Sequence, residues 1–245
     1  MFNNLFSEKL MDKFITKHSD QIQIFNPDTH PIESWINKLE SNSLENEKNN
    51  YIEFYEIILH DLLGYNYDNL KYENSIGDEK RPVEFTLLKD GKEYVVIELK
   101  GTKNYDLTKR YNGGMSPVEQ ATNYASIKKE TKYAIVSNYD EFRLFNPSHR
   151  QDYISFKFKE LKDPKILKYF LLIFSKYSLI QNDIVDILVE KQPITINTVL
   201  ENEFYKLYSE TRLMLIKQLN HPVKEDDFCF SLDDSIYYAQ LILNI

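Results

Sequence analysis

The segment Val95-Val96-Ile97-Glu98-Leu99-Lys100 ends an apolar run with an acid and a base two residues apart. A run this short and this rich in β-branched residues reads as a buried strand. Side chains alternate along a strand, so Glu98 and Lys100 share a face. Burying one charge alone is costly, and a charged pair at the end of a buried strand needs a reason. One reason is a plain ion pair at a sheet edge. The other is a metal site, in which carboxylates from two adjacent strands hold Mg²⁺ and Lys100 positions or deprotonates a water. The triplet acid-x-Lys carries little information by itself. It also starts at Asp78, Asp90, Glu130, Glu160 and Asp163, all in turns or polar segments.

A second carboxylate is available at Glu84, in Arg81-Pro82-Val83-Glu84-Phe85. Asp90-Gly91 signals a hairpin between the two strands, and its register decides whether Glu84 reaches Glu98. A two-residue loop pairs Glu84 with Ile97 and turns it away from Glu98. A three-residue loop, Lys89-Asp90-Gly91 with Gly91 in a left-handed bulge, pairs Glu84 with Val96 and gives it the face of Glu98. The same register gathers Phe85, Leu87, Val95, Ile97 and Leu99 on one apolar face. A one-residue slip flips every side chain, so the bulged register is preferred.

Other residues surround this centre. Gln120 lies in the first turns of a helix opened by Ser116-Pro117-Val118-Glu119, a capping box with proline at the first position. Tyr124 is one turn on, on the same face, and an ordinary amphipathic face explains it equally. Glu47 lies on the apolar side of a helix over 47–63 that carries Tyr51, Phe54 and Ile58, and Glu53 lies on its wet side. Glu47, Glu53 or neither is then the helix acid of the site. The loop 101–115 carries Lys103, Lys109 and Arg110 with Tyr105 and Tyr111. It is either a solvated loop or a set of phosphate contacts.

The elements that must hold these residues follow from periodicity. Helices are expected at 3–17, 31–41 and 47–63. Strands follow at 70–74, 83–88 and 93–100, then the capped helix, then strands at 133–137, 142–145 and 153–158. After Pro164 the pattern turns helical, over 165–178, 182–191, 197–220 and 232–245. The expected fold class is α/β: an αβββαβ core with a mixed sheet flanked by helices, then an all-helical C-terminal segment. The expected divisions are a helical extension over 1–45, a core domain over 46–160 and a helical segment over 161–245.

Composition bounds the rest. The chain has 245 residues, net charge -8 and 34 aromatic side chains (15 Phe, 18 Tyr, 1 Trp), enough for a sizeable core. Its single cysteine, Cys229, excludes an internal disulfide and a cysteine-rich zinc site, which suggests a reducing, cytoplasmic setting. No apolar run is long enough to cross a membrane, and the first 14 residues do not read as a signal peptide. Charge is segregated: residues 40–79 hold ten acids and two bases, residues 92–132 eight bases and five acids. All six glycines lie between Gly64 and Gly114, the region of the proposed chemistry.

Taken together, the helix acid, Pro82-Val83-Glu84-Phe85, Val96-Ile97-Glu98-Leu99-Lys100-Gly101-Thr102 and the helix with Gln120 and Tyr124 resemble the PD-(D/E)XK nuclease superfamily. The pattern is closest to the N-terminal nuclease domain of type IIG restriction-modification enzymes. Four stretches carry that closer resemblance: Gly77 to Phe85, Val95 to Thr102, Ser116 to Ala121, and Ala134 to Tyr139 with Arg143-Leu144-Phe145. The resemblance implies a restriction-endonuclease-like fold and Mg²⁺-dependent hydrolysis of double-stranded DNA, with Mn²⁺ as a substitute. It implies metal carboxylates at Glu84 and Glu98, the catalytic lysine at Lys100, a supporting glutamine at Gln120 and the helix acid at Glu47. One departure is that the family usually has Asp directly after Pro, whereas Pro82 is followed by Val83 and then Glu84.

In that family a helical connector, an adenine methyltransferase and a target-recognition domain follow on the same polypeptide. This chain has no Asn-Pro-Pro-Tyr and no glycine-rich strand-to-helix turn, so S-adenosylmethionine is not expected here. Tyr238 to Asn244 resembles the start of a connector helix, which suggests a piece of a longer enzyme or a truncated product. Dimerisation on DNA would let two such domains cut two strands. Two other readings stay open: a non-catalytic DNA-binding or assembly module with a decayed site, and a standalone antiphage nuclease.

Overall fold

The computed structural model describes residues 1–3, 5–22, 31–75, 82–111, 114–147 and 149–191, and positions 211 and 214. Among the described residues, seven strands form one mixed sheet in the order β1-β7-β6-β5-β4-β3-β2. They are β1 (Phe2–Asn3), β2 (Leu70–Ser75), β3 (Pro82–Lys89), β4 (Lys92–Leu99), β5 (Tyr133–Ser137), β6 (Glu141–Asn146) and β7 (His149–Lys157). Among the described strands only β4 and β5 run parallel, and α4 (Pro117–Ile127) makes the crossover between them. The other helices are α1 (Glu8–Lys17), α2 (Pro31–Glu40), α3 (Glu47–Glu53), α5 (Pro164–Phe174) and α6 (Ile184–Lys191). The α/β class and the mixed sheet flanked by helices are as the sequence suggests.

The central strands are buried on both faces. Val95, Ile97, Leu99, Phe85, Leu87 and Ile135 join one large cluster with the helices before β2 and after β7. Val96, Ala134 and Val136 join a smaller cluster with Val118, Ala121, Tyr124 and Ala125 of α4 and Leu107 of the preceding loop. The sheet is therefore the middle layer of three. Tyr124 is a core residue of the smaller cluster.

The β3–β4 hairpin differs from the expected register. Asp90 and Gly91 both have positive φ, at 51° and 76°, and Lys89 pairs with Lys92. This is a two-residue turn whose handedness matches the twist of the strands. The irregularity lies further along: Leu88 pairs with Glu93 but Leu87 pairs with Val95, so Tyr94 is an extra residue in β4. Beyond this bulge Phe85 faces Ile97 and Thr86 faces Val96. Continuing that register sets Glu84 opposite Glu98 rather than Val96. Glu84 still shares the face of Glu98, but a bulge at Tyr94 rather than at Gly91 produces it.

Three further differences concern the elements and divisions. Residues 2–3 pair with β7 as an edge strand, and the first helix starts only at Glu8. The helix expected over 47–63 becomes π-helical over Phe54–Leu62 and closes at Gly64, whose φ is +80°. Trp35, Met11, Phe54, Phe142, Phe170 and Leu188 belong to one continuous cluster, which crosses the divisions expected at 45 and 160. The chain forms two compact units, Met1–Gln192 and Pro193–Ile245. Thr211 and Met214 are helical. The rest of the helix expected at 197–220, all of 232–245 including Tyr238 to Asn244, and Gly77 and Gly113 lie outside the described residues.

Candidate active site

Three side chains meet at the C-terminal end of β4. Lys100 Nζ stands 2.7 Å from Glu98 Oε1 and 3.6 Å from Glu84 Oε1. It also donates to the Leu99 carbonyl at 2.8 Å. The backbone N–H of Lys100 donates to Ser137 O at 2.8 Å, which extends the parallel ladder one residue past β4 and fixes where the lysine leaves the sheet. Glu98 is 3% exposed at its side chain, whereas Glu84 and Lys100 are 17% and 16% exposed. The site is a half-open slot with Glu98 at its floor.

Among the described residues the charges in this slot do not balance. Two carboxylates share one ammonium, and Oε2 of Glu84 and Oε2 of Glu98 are buried without a hydrogen-bond partner. Burial first, and then the neighbouring Glu84 carboxylate, push the Glu98 carboxyl well above the usual carboxylate range; Lys100 opposes them. Buried acceptors are almost always satisfied, so two orphans side by side call for a cation or a proton.

Residues around the slot fix its walls. Tyr51 on α3 donates its hydroxyl to the Glu84 carbonyl at 2.6 Å, and its ring stacks on Phe85 at 4.5 Å between centroids. Glu47 is the first residue of α3, one turn before Tyr51, but its side chain lies outside the described residues. Glu53 pairs with Lys38 of α2 at 2.7 Å and is 43% exposed, on the wet side of its helix. Because α4 links parallel strands, it runs antiparallel to them, and its N-terminus lies at the end of the sheet that carries Lys100. Its capping box is complete: Ser116 Oγ accepts from Glu119 N, and Glu119 accepts from Ser116 N. Gln120 is therefore at the right end of the sheet, but its amide donates to Met115 O at 3.2 Å.

The loop after Lys100 is tied down rather than loose. Thr102 N donates to Leu44 O, Asn138 Nδ2 donates to Asn104 O, and Leu107 is fully buried. Its three cations differ. Lys103 pairs with Glu45 at 3.4 Å. Arg110 grips Glu119 through two hydrogen bonds, and with the Ser116 N–H it holds the Glu119 carboxyl down at about 2. Lys109 lies 5.9 Å from the ring centres of both Tyr105 and Tyr111. Two of the three expected phosphate contacts are thus engaged with acids of the chain itself.

Sequence reasoning missed Tyr51 as a support of Glu84 and Asn138 as an anchor of the loop. A tyrosine in an apolar helix stripe was the available signal, because a buried phenol finds a partner for its hydroxyl.

Among the described residues, no three His, Cys, Asp or Glu side chains converge as a metal site. The two carboxylates nevertheless suit Mg²⁺, which is often bound through one or two carboxylates, with water and substrate phosphate completing its octahedron. The orphaned oxygens of Glu84 and Glu98 are the right donors in the right place. No helix among the described residues is long and apolar enough to cross a membrane. No family model, no curated protein and no solved structure matches the chain, so the functional reading rests on the slot's own chemistry.

Proposed function

We propose that the chain is a metal-dependent endodeoxyribonuclease domain with a restriction-endonuclease-like core, of the type IIG kind. The single observation that carries this reading is the pair of carboxylates on adjacent strands, each with a buried oxygen that has no hydrogen-bond partner, with a lysine two residues beyond one of them. Glu84 and Glu98 would hold Mg²⁺ or Mn²⁺. When bound, such an ion supplies charge stabilisation on the phosphate and acidifies a water.

The side chains do the positioning. Tyr51 fixes the backbone at Glu84, so that carboxylate is presented from a rigid strand. Lys100 Nζ would hold the attacking water and offset charge developing on the phosphate. The water oxygen would attack phosphorus in line as one of its protons passes to solvent, the P–O bond to the leaving strand would break, and the leaving oxygen would take up a proton from solvent. No covalent enzyme intermediate forms. Gln120 would support the water once its amide leaves Met115 O. Lys109, with Lys103 and Arg110 once released from Glu45 and Glu119, would contact phosphates. The net charge of -8 makes DNA affinity weak for this chain alone. Methyltransferase and target-recognition domains on a longer chain, and pairing of two nuclease domains on DNA, would then supply specificity and double-strand cutting.

The test is plasmid cleavage with Mg²⁺ or Mn²⁺, alongside calorimetric metal binding. The intact chain should nick plasmid, and Lys100→Ala should lower the rate on the order of 10²-fold or more. Metal affinity that is unchanged in Glu98→Ala would refute the reading and favour a non-catalytic module.

A further inference from the structure

The hairpin that carries Glu84 and Glu98 has a second polar cluster at its other end. Asp186, in the first turn of α6, accepts from Tyr94 Oη at 2.7 and 2.8 Å, from Tyr133 Oη at 2.7 Å and from Lys132 Nζ at 2.6 Å. The rings of Tyr94 and Tyr133 meet edge to face at 6.0 Å. Lys89 adds an ion pair to Asp183 and lies 4.8 Å from the centre of the Tyr94 ring. Ends of β3, β4 and β5 are thereby tied to one short stretch of chain.

Tyr94 is the extra residue of the β4 bulge. In a regular strand Tyr94 and Val95 would point to opposite faces. Here both belong to the same buried cluster, because the bulge turns Tyr94 onto the face of Val95, toward α6. The register consequence is large. The two-residue turn alone, continued without a bulge, pairs residues as Lys89 pairs with Lys92. Glu84 would then face Ile97 and point away from Glu98. The bulge at Tyr94 moves the pairing by one residue and brings the two carboxylates onto one face.

We propose that Tyr94 and Asp186 are positioning residues for the Glu84–Glu98 pair: they hold the bulge that sets the register on which the pair depends. Asp186 suits the task because burial, which pushes its carboxyl up, is outweighed by Lys132, Tyr94 and Tyr133, which keep it below its usual value and ionised. The claim about register stands on the hairpin alone, whereas its importance for catalysis rests on the nuclease reading.

A cross-strand disulfide reports the register directly. Thr86 faces Val96 in the observed pairing and faces Val95 in the slipped one. In the full chain carrying Cys229→Ser, the pair Thr86→Cys with Val96→Cys should therefore oxidise, as seen by mass spectrometry without reductant. Adding Asp186→Ala should lose most of this cross-link, and Tyr94→Phe, which removes only the hydroxyl, should lose part of it. Full cross-linking in folded Asp186→Ala overturns the proposal. If Asp186→Ala does not fold by circular dichroism, Tyr94→Phe combined with Lys132→Met takes its place, and full cross-linking there overturns it equally. Without the cysteines, Asp186→Asn should weaken Mn²⁺ binding by the folded protein, whereas a purely structural role would lower the melting temperature and leave that affinity unmoved. If the unaltered chain binds no Mn²⁺ while the cross-link responds as stated, the nuclease reading fails and the register assignment survives.

Discussion

The two ends of the β3–β4 hairpin solve the same electrostatic problem in opposite ways. At the α6 end, one carboxylate receives two phenol hydroxyls and an ammonium. At the Lys100 end, two carboxylates share one ammonium and leave two oxygens unpartnered. The first cluster is satisfied and holds Asp186 below its ordinary value. The second is under-satisfied and drives Glu98 well above its own. A saturated network has nothing left to bind and acts as structure. An unsaturated one keeps acceptors for a ligand and lowers the stability of the fold that contains it.

The largest break in this comparison should come from Lys100→Met. It removes the ammonium that Glu84 and Glu98 share and leaves the two carboxylates facing each other. Cleavage should fall on the order of 10³-fold, and urea unfolding should show a loss of about 3 kcal/mol at neutral pH. Asp186→Ala comes next, with a loss of about 2–3 kcal/mol in the same measurement, because it strips a charged acceptor from Tyr94, Tyr133 and Lys132.

Glu98→Gln should sharpen the contrast by acting in the other direction. The folded-state value of Glu98 is raised, so its contribution to stability is fully present below the ordinary value near 4.5 and is lost as pH rises through the folded value. The glutamine has no such loss. Its unfolding midpoint should exceed that of the unaltered chain at neutral pH, and the gap should close as the solution is acidified. Asp186 has the opposite sign. Its contribution is present above the ordinary value and is lost as pH falls through the lowered one. Acidification therefore loosens one end of the hairpin while it relieves the other.

Tyr51→Phe should cost about 1 kcal/mol, for the hydrogen bond to the Glu84 carbonyl, and should weaken metal binding without altering secondary structure. The smallest effect should come from Arg110→Ala on the exposed loop. Its unfolding midpoint should stay in place, while the Glu119 carboxyl, followed by NMR, should titrate upward from about 2 toward its ordinary value.

Much of the region around the hairpin was legible because its signals are local. The capping box at Ser116 and the buried strand at Val95 each lie within a few residues, and each is where the sequence put it; the turn at Asp90-Gly91 is also in place, but with two residues rather than three. The bulge was not legible, because its cause is distant. Tyr94 swings out of alternation toward Asp186, 92 residues further on. The shared face of Glu84 and Glu98 was inferred through a register that does not occur, and a second irregularity restored the parity. The same distance effect hid the unity of the first 192 residues: Trp35 looks like part of an extension until it is seen against Phe54, Tyr139 and Phe158. The loop cations were read from their sign alone, and their acidic partners Glu45 and Glu119 are invisible to a count of bases.

Trp35 is the only tryptophan in the chain, is fully buried, and donates its indole N–H to the Tyr139 carbonyl at 2.9 Å. Tyr139 sits at a positive φ of 69° in the turn that follows β5, next to the Asn138 that anchors the loop after Lys100. That makes the indole a built-in optical probe. Its emission reports whether α2 is seated on that turn, free of any other fluorophore of its kind. A red shift that precedes loss of the far-ultraviolet β signal would time the departure of the N-terminal helices from the sheet, without a label and without a substrate.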